Sequence, residues 1–100
     1  MRNDDELLSA TDLQSALTEL ANWEEAGGWL VRRWQTNGWQ NGTLIVGALS
    51  FLAEAADHHP DIELTWGSVV VRLQTHTAGG ITGKDIALAR QIEALVSLKF

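Results

Sequence analysis

Hairpin signals and helix signals alternate along this chain of 100 residues, and that alternation leaves few folds open to it. Over residues 62–66, apolar and polar side chains alternate. After Gly67 and Ser68, three apolar residues, Val69, Val71 and Leu73, alternate with Val70, Arg72 and Gln74. Such alternation indicates two half-buried strands joined by a turn. Because a half-buried hairpin needs an apolar partner for one of its faces, we expect the helical segments to pack against it.

A second hairpin signal lies earlier in the chain. Gly27 and Gly28 indicate a turn, and strands are predicted on either side of it, over residues 22–25 and 29–36. The later of these strands places four alternate side chains on one face, namely Leu30, Arg32, Trp34 and Thr36.

The first and last helices are predicted from their starts. Thr11 with Gln14, and Thr82 with Asp85, have the spacing of capping boxes, in which the two side chains satisfy backbone N–H groups that the first turn leaves unpaired. The apolar stripes that follow are Leu13, Leu17 and Leu20 in the first helix, and Leu88, Ile92, Leu95 and Val96 in the last. Both segments therefore read as amphipathic helices.

A middle helix is predicted between the two hairpins. Asn41 and Gly42 are expected to open it, and it should run to Asp57 and end because of Pro60. The apolar residues at helical spacing are Leu44, Ala48, Phe51, Leu52 and Ala55. We expect this stripe to face the core.

The predicted order is αββαββα, which favours an α+β fold in which a four-stranded antiparallel sheet has three helices packed on one face. We expect residues 1–100 to form a single domain, with residues 1–8 as a disordered N-terminal tail. A domain of this size buries a modest core, so self-association into a homodimer or homotetramer is also expected.

Composition excludes several classes of function. There is no cysteine, and hence no disulfide, thiolate zinc site or cysteine nucleophile. The net charge of −6, from seven basic and thirteen acidic residues, argues against a nucleic-acid partner. The apolar run at residues 44–49 is far shorter than the roughly 18–20 residues that span a bilayer, so we expect no membrane partner and a cytoplasmic location.

All three histidines of the chain lie within residues 58–76, beside several carboxylates. Histidine exchanges a proton near neutral pH, so His58, His59 and His76 are candidates for general acid–base catalysis. Two other interpretations stay open: histidines at a helix end can simply bind its last carbonyls, and histidine is a common metal ligand. Against a metal, neighbouring histidines rarely converge on one ion and the helical i, i+4 pair of ligands is absent.

These residues belong to a longer spaced pattern, which runs Glu54-x3-His58-His59-Pro60-x5-Trp66-x9-His76-x8-Asp85. The pattern resembles the signature of the pterin-4a-carbinolamine dehydratases, and the resemblance extends over residues 17–96. It implies the same four-stranded sheet with three helices on one side. It also implies a hydro-lyase that converts 4a-hydroxytetrahydrobiopterin to quinonoid dihydropterin and water during pterin cofactor recycling, with no cofactor and no metal.

The resemblance further implies roles for individual residues. His58 and His76 would form the acid–base pair, with His59 sharing proton transfer or orienting the substrate. The substrate-binding residues would be Glu54, Asp57, Pro60, Trp66 and Asp85. Glu54 or Asp57 would hold the guanidine-like edge of the pterin, unless Glu54 is simply solvated.

Three of these residues have structural explanations as well. Pro60 would fix the approach of the histidines through its rigid backbone. Trp66 would pack either on the pterin ring or in the core. Asp85 is explained locally as the partner of Thr82 at the helix start, and the family pattern alone gives it a functional role.

The same resemblance leaves a second class of function open. Some members act as protein partners, either as a dimerisation cofactor of a transcription factor or as a dehydratase-like assembly factor for RuBisCO in carboxysomes. A protein of that class would bind a partner without turnover, and the gene of a RuBisCO assembly factor would lie near RuBisCO or carboxysome genes.

Overall fold

A computed structural model describes residues 5–96 of the chain. Its elements are α1 (Ala10–Glu19), β1 (Trp23–Ala26), β2 (Trp29–Gln35), α2 (Trp39–Ala56), β3 (Asp61–Thr65), β4 (Ser68–Leu73) and α3 (Gly83–Val96). The predicted order of helices and strands and the α+β class are confirmed. None of the helices within the described range is long and apolar enough to cross a membrane.

The four strands form one antiparallel sheet in the order β1-β2-β4-β3. The two hairpins therefore meet through their second strands, where Leu30 pairs with Leu73 and Trp34 with Val69. Alternate side chains of β4 are fully buried on the helical side of the sheet, as the alternation in the sequence predicted.

The core lies between this face of the sheet and the three helices. The side chains that the helices bury in it include Ala16 from α1, Ile45, Leu49 and Ala53 from α2, and Ile86, Leu88, Ala89, Ile92 and Val96 from α3. The stripe predicted for α3 is thus confirmed, with Leu95 half-buried beside it.

The opposite face of the sheet is covered by its own long side chains. Val31 and Val70 are buried there, although they point away from the helices. Arg72 stands opposite Val31, and Arg33 stands opposite Val70. The aliphatic stems of these arginines can cover the valines while their charged ends pair with acidic residues of the neighbouring strands.

The starts of two helices differ from the prediction. The helix α1 begins at Ala10, and its cap is Ser9, whose hydroxyl accepts the backbone N–H of Asp12 at 3.1 Å. A serine two residues before Thr11 offered the same capping chemistry at an earlier turn. The helix α2 begins at Trp39, with Gly38 as its cap residue, so Gly42 lies inside the helix instead of at its start.

The apolar stripe predicted for α2 was wrong except at Leu52, which packs against the core. Leu44 is 48% exposed and Phe51 is 71% exposed, whereas Ile45, Leu49 and Ala53 are buried. This helix is apolar on more than one side, so two sets of residues satisfy the same spacing. The contact with β3, β4 and α3 selects the set one residue further along.

The expected disordered tail of residues 1–8 does not extend to its last two residues. Leu7 forms an antiparallel bridge with Thr82, and the backbone N–H of Leu8 donates to the carbonyl of Ile81 at 3.0 Å. Leu8 also packs against the core. Residues 1–4 of that predicted tail lie outside the described residues.

Candidate active site

The chain leaves α2 through a turn that presents two histidines. Asp57 has left-handed backbone angles, φ 50° and ψ 45°, and its N–H donates to the carbonyl of Glu54. The N–H of His58 donates to the carbonyl of Ala53 at 3.0 Å. These two bonds form a Schellman motif, which satisfies the last carbonyls of the helix. The helix therefore ends at Ala56, before the proline that was predicted to end it.

His58 is held by a buried carboxylate at the start of α3. Its Nε2 lies 2.5 Å from Oδ1 of Asp85, which is fully buried, while the His58 side chain keeps 14% of its surface exposed. The second oxygen of Asp85 accepts the backbone N–H of Thr82 and the hydroxyl of Thr75, each at 2.9 Å. The predicted capping box of Thr82 and Asp85 is thus present, and the same carboxylate also reaches His58.

His76 reaches the same region from the connection between β4 and α3. The strand β4 ends at Leu73, Thr75 forms a bridge with Gly80, and His76 lies in the turn between them. Its side chain is exposed, as predicted from the strand parity, and its ring meets the ring of Trp29 edge-on with centroids 6.0 Å apart. The first hairpin thereby supports a histidine that follows the second.

His59 has a different environment from His58. Its Nε2 lies 2.8 Å from Oε1 of Glu54, and both side chains are exposed. An exposed pair of this kind holds its geometry weakly, because water competes for both partners.

The three histidines line one open hollow of about 360 Å³. Its walls are formed by Asp57, His58, His59, Gln74, Thr75, His76, Thr77 and Lys84. The volume lies within the range of pockets that bind small molecules. Polar and titratable side chains from the end of α2, the end of β4 and the start of α3 thus surround one space.

Another hollow, of about 260 Å³, lies at the far end of β2. Its charged groups are already paired, because Glu93 accepts hydrogen bonds from Arg32 at 2.7 Å and from the indole of Trp23 at 2.8 Å. It contains no histidine, the side chain that exchanges a proton near neutral pH.

Four of the five residues predicted to bind substrate do not line the histidine hollow, namely Glu54, Pro60, Trp66 and Asp85. Asp85 is fully buried and approaches the hollow only through His58. Glu54 approaches it only through His59, and Pro60 connects the histidines to β3. Trp66 lies in the β3–β4 turn, six residues beyond Pro60 and so about 20 Å away along the strand. It is 70% exposed, so the core role considered for it was wrong.

Several residues around the histidines were missed in the sequence, namely Trp29, Gln74, Thr77 and Lys84. Gln74 and Thr77 flank the pair Thr75 and His76, so proximity in sequence could have found them. Trp29 could not be found in this way, because it comes from the other hairpin. Within the described range, no group of three or more His, Cys, Asp or Glu side chains could hold a metal ion.

Comparison with known proteins gives a consistent family. Residues 6–95 match the family described as pterin 4 alpha carbinolamine dehydratase. A protein of Nocardia farcinica is 42% identical over 90 residues, which cover 90% of this chain and 95% of the relative. A protein of Aquifex aeolicus is 40% identical over 89 residues, covering 89% and 90%. Both carry the provisional name pterin-4-alpha-carbinolamine dehydratase.

Two solved structures share the fold. The transcriptional coactivator/pterin dehydratase of Brucella melitensis has a TM-score of 0.82 and 27% identity, and the match covers 88% of this chain and 96% of that one. A pterin dehydratase-like protein identified as a RuBisCO assembly factor in the alpha-carboxysome has a TM-score of 0.62 and 26% identity, covering 74% and 88%. The same fold therefore serves proteins described as a dehydratase, a coactivator and an assembly factor.

Proposed function

The chain belongs to the pterin-4a-carbinolamine dehydratase family, and on that premise we propose that it removes water from 4a-hydroxytetrahydropterins such as 4a-hydroxytetrahydrobiopterin. The product is quinonoid dihydropterin, and the reaction serves the recycling of the reduced pterin cofactor in the cytoplasm. The observation that carries the proposal is the meeting of His58, His59 and His76 at one open hollow.

The reaction requires two proton movements. A base takes the proton from N5, the electrons of that N–H bond form the N5–C4a double bond, and the 4a-hydroxyl leaves as water after an acid protonates it. We assign this acid–base pair to His58 and His76, which come from different elements and line the same hollow. His59 either shares proton transfer or orients the substrate.

Binding of the substrate needs a partner for the guanidine-like edge of the pterin. A carboxylate can accept two parallel N–H groups from such an edge. Asp57 lines the hollow, whereas Glu54 is engaged with His59. We therefore assign the edge to Asp57, with Glu54 as an orienting partner of His59.

A stopped-flow assay of carbinolamine dehydration tests this proposal. We expect the wild-type protein to accelerate the reaction and His58→Ala or His76→Ala to lower kcat by about 10²–10⁴-fold, the usual contribution of a positioned acid or base. Ser50→Ala, an exposed change on α2, is the control and should leave kcat unchanged. Folded histidine variants that keep the wild-type rate would contradict the assignment.

A protein-binding role is the second candidate, and one feature of the surface favours it. Leu44 and Phe51 expose apolar side chains along one side of α2, and Ala48 and Ala55 follow each of them one helical turn later. The likeness to the RuBisCO assembly factor gives this candidate a partner to test. If the wild-type protein shows no turnover, binding of purified RuBisCO that is retained in His58→Ala and lost in Phe51→Ser would favour the protein-binding role over the enzyme.

We also propose that copies of this chain associate as a homodimer or homotetramer. The apolar side of α2 is the surface that association would cover, since a chain of this size gains stability by burying such a stripe.

A further inference from the structure

We propose that Thr75 and Thr82 are positioning residues that act through Asp85 to keep the proton of neutral His58 on Nε2, which leaves Nδ1 as its reactive nitrogen. This inference rests on the proposed function for its catalytic meaning. The arrangement of hydrogen bonds that carries it is independent of the substrate.

The protons of the buried cluster can be placed one by one. The backbone N–H of Lys84 donates to the hydroxyl oxygen of Thr82 at 3.2 Å. The two threonine hydroxyls are 2.7 Å apart, and the hydroxyl of Thr75 donates to Oδ2 of Asp85 at 2.9 Å. Because each hydroxyl has a single proton, Thr75 cannot also donate to Thr82, so Thr82 donates to Thr75. The chain of donors therefore runs from Lys84 through both threonines and ends on Asp85.

Asp85 receives a second donor on the same oxygen. The backbone N–H of Thr82 lies 2.9 Å from Oδ2, which leaves Oδ1 for Nε2 of His58. An ionised carboxylate is an acceptor only, and it fits a site in which every neighbour points a proton at it. A neutral imidazole has one N–H, and this geometry requires that N–H at Nε2.

The other ring nitrogen of His58 is then the free one. Within residues 5–96, Nδ1 of His58 has no hydrogen-bond partner, and it is not one of the fully buried atoms that lack a partner. It therefore reaches the accessible surface of a residue that lines the hollow. As a base, His58 would accept the N5 proton on the Nδ1 lone pair, and Asp85 would stabilise the resulting imidazolium without taking the proton.

The two threonines matter because Asp85 alone could rotate. Its fully buried carboxylate has two donors on Oδ2, and one of them is the Thr75 hydroxyl. Without that hydroxyl, Oδ2 keeps only the Thr82 N–H, so the carboxylate is free to turn away from Nε2 of His58 and the ring can sample its other tautomer. His59 provides an internal comparison, since its ring contacts the exposed carboxylate of Glu54 and not the buried carboxylate of Asp85.

The test is the ¹⁵N NMR spectrum of the three imidazoles at a pH where they are neutral. We expect the wild-type protein to show Nε2–H and unprotonated Nδ1 for His58. Thr75→Val, which keeps the shape of the side chain, should shift His58 towards a mixture of tautomers and lower kcat about tenfold with little change in KM, the scale of one lost charge-assisted hydrogen bond. Thr75→Ser should restore both, and the signals of His59 should not move.

Two results would overturn the inference: a wild-type His58 that carries its proton on Nδ1, or a Thr75→Val variant whose His58 spectrum equals that of the wild type. If Thr75→Val does not fold, Thr75→Ala removes the same hydroxyl without a new methyl contact and is measured in its place. A wild-type protein with the expected tautomer but no dehydration would count against the proposed function and not against the positioning role. The spectrum thus separates the two failures.

Discussion

Asp85 serves the fold and the candidate site with different oxygens. Its Oδ2 closes the capping box with Thr82, and its Oδ1 holds His58. A local role at the helix start and a role in the histidine site are alternatives in the sequence, and the geometry is compatible with both at once. A residue with two such duties should respond to substitution in both stability and rate.

We expect Asp85→Asn to lower both quantities. An amide has a single acceptor oxygen, whereas the donors from Thr75, Thr82 and His58 need two, so at least one buried donor loses its partner. The free energy of unfolding should fall by about 1–3 kcal/mol, measured by urea titration. The value of kcat should fall as well, measured by stopped flow.

The matched control is Glu54→Gln, which changes the other carboxylate that contacts a histidine. Because Glu54 and His59 are exposed, this change should alter the free energy of unfolding by less than about 0.5 kcal/mol. Equal losses in the two variants would show that burial of the carboxylate is not what matters.

Asp57 allows backbone and charge to be separated. Its left-handed conformation is one that asparagine tolerates well, so Asp57→Asn keeps the turn that ends α2. We expect unchanged thermal unfolding and a raised KM for the pterin, because the amide cannot accept both N–H groups of its guanidine-like edge. An unchanged KM would move that role to another residue of the hollow.

At the scale of elements, helix starts depend on one or two backbone positions. Gly38 precedes α2 with φ 128° and ψ 164°, a conformation that is almost restricted to glycine. We expect Gly38→Ala to lower the free energy of unfolding by about 1–3 kcal/mol, measured by urea titration. Gly47→Ala is the control, since Gly47 lies inside the same helix with ordinary backbone angles and open space where the added methyl group would lie, and it should gain up to about 1 kcal/mol.

The sequence could predict features that depend on neighbouring residues, but not those that depend on contacts between distant elements. The capping box at Thr82 and the alternation along β4 involve neighbours in sequence, and both were predicted. The buried side of α2 was not, because Leu44 and Ile45 begin equally regular stripes and only the contacts with the sheet and with α3 distinguish them. Trp29 was missed for the same reason, since its contact with His76 joins two hairpins.

At the scale of the whole molecule, four element ends meet where the histidines lie. The end of α2, the start of β3, the end of β4 and the start of α3 all lie at the same end of the sheet. The spaced pattern in the sequence was informative because each of its histidines falls in one of these connections. Trp66 belongs to the same pattern but lies at the opposite end of the sheet. The pattern therefore predicts where the hollow lies, but not every residue of the pattern lines it.

The proposed association of whole molecules can be tested without disturbing the end of the sheet where the histidines lie. Leu44 and Phe51 lie on the exposed side of α2, whereas Trp66 is as exposed as Phe51 but lies in a turn of the sheet. We expect light scattering to give a multiple of the 11.0 kDa chain mass for the wild type and for Trp66→Ser, and a smaller mass for the Leu44→Ser/Phe51→Ser double variant.

The rate of the dissociated variant then decides whether association matters for the site. The three histidines and Asp85 come from one chain and are held by contacts within it, so kcat per chain should stay near the wild-type value. A loss of rate that follows the loss of mass would mean that the neighbouring copy supplies part of the hollow. If Trp66→Ser dissociates and the double variant does not, the interface lies at the β3–β4 turn and not on α2.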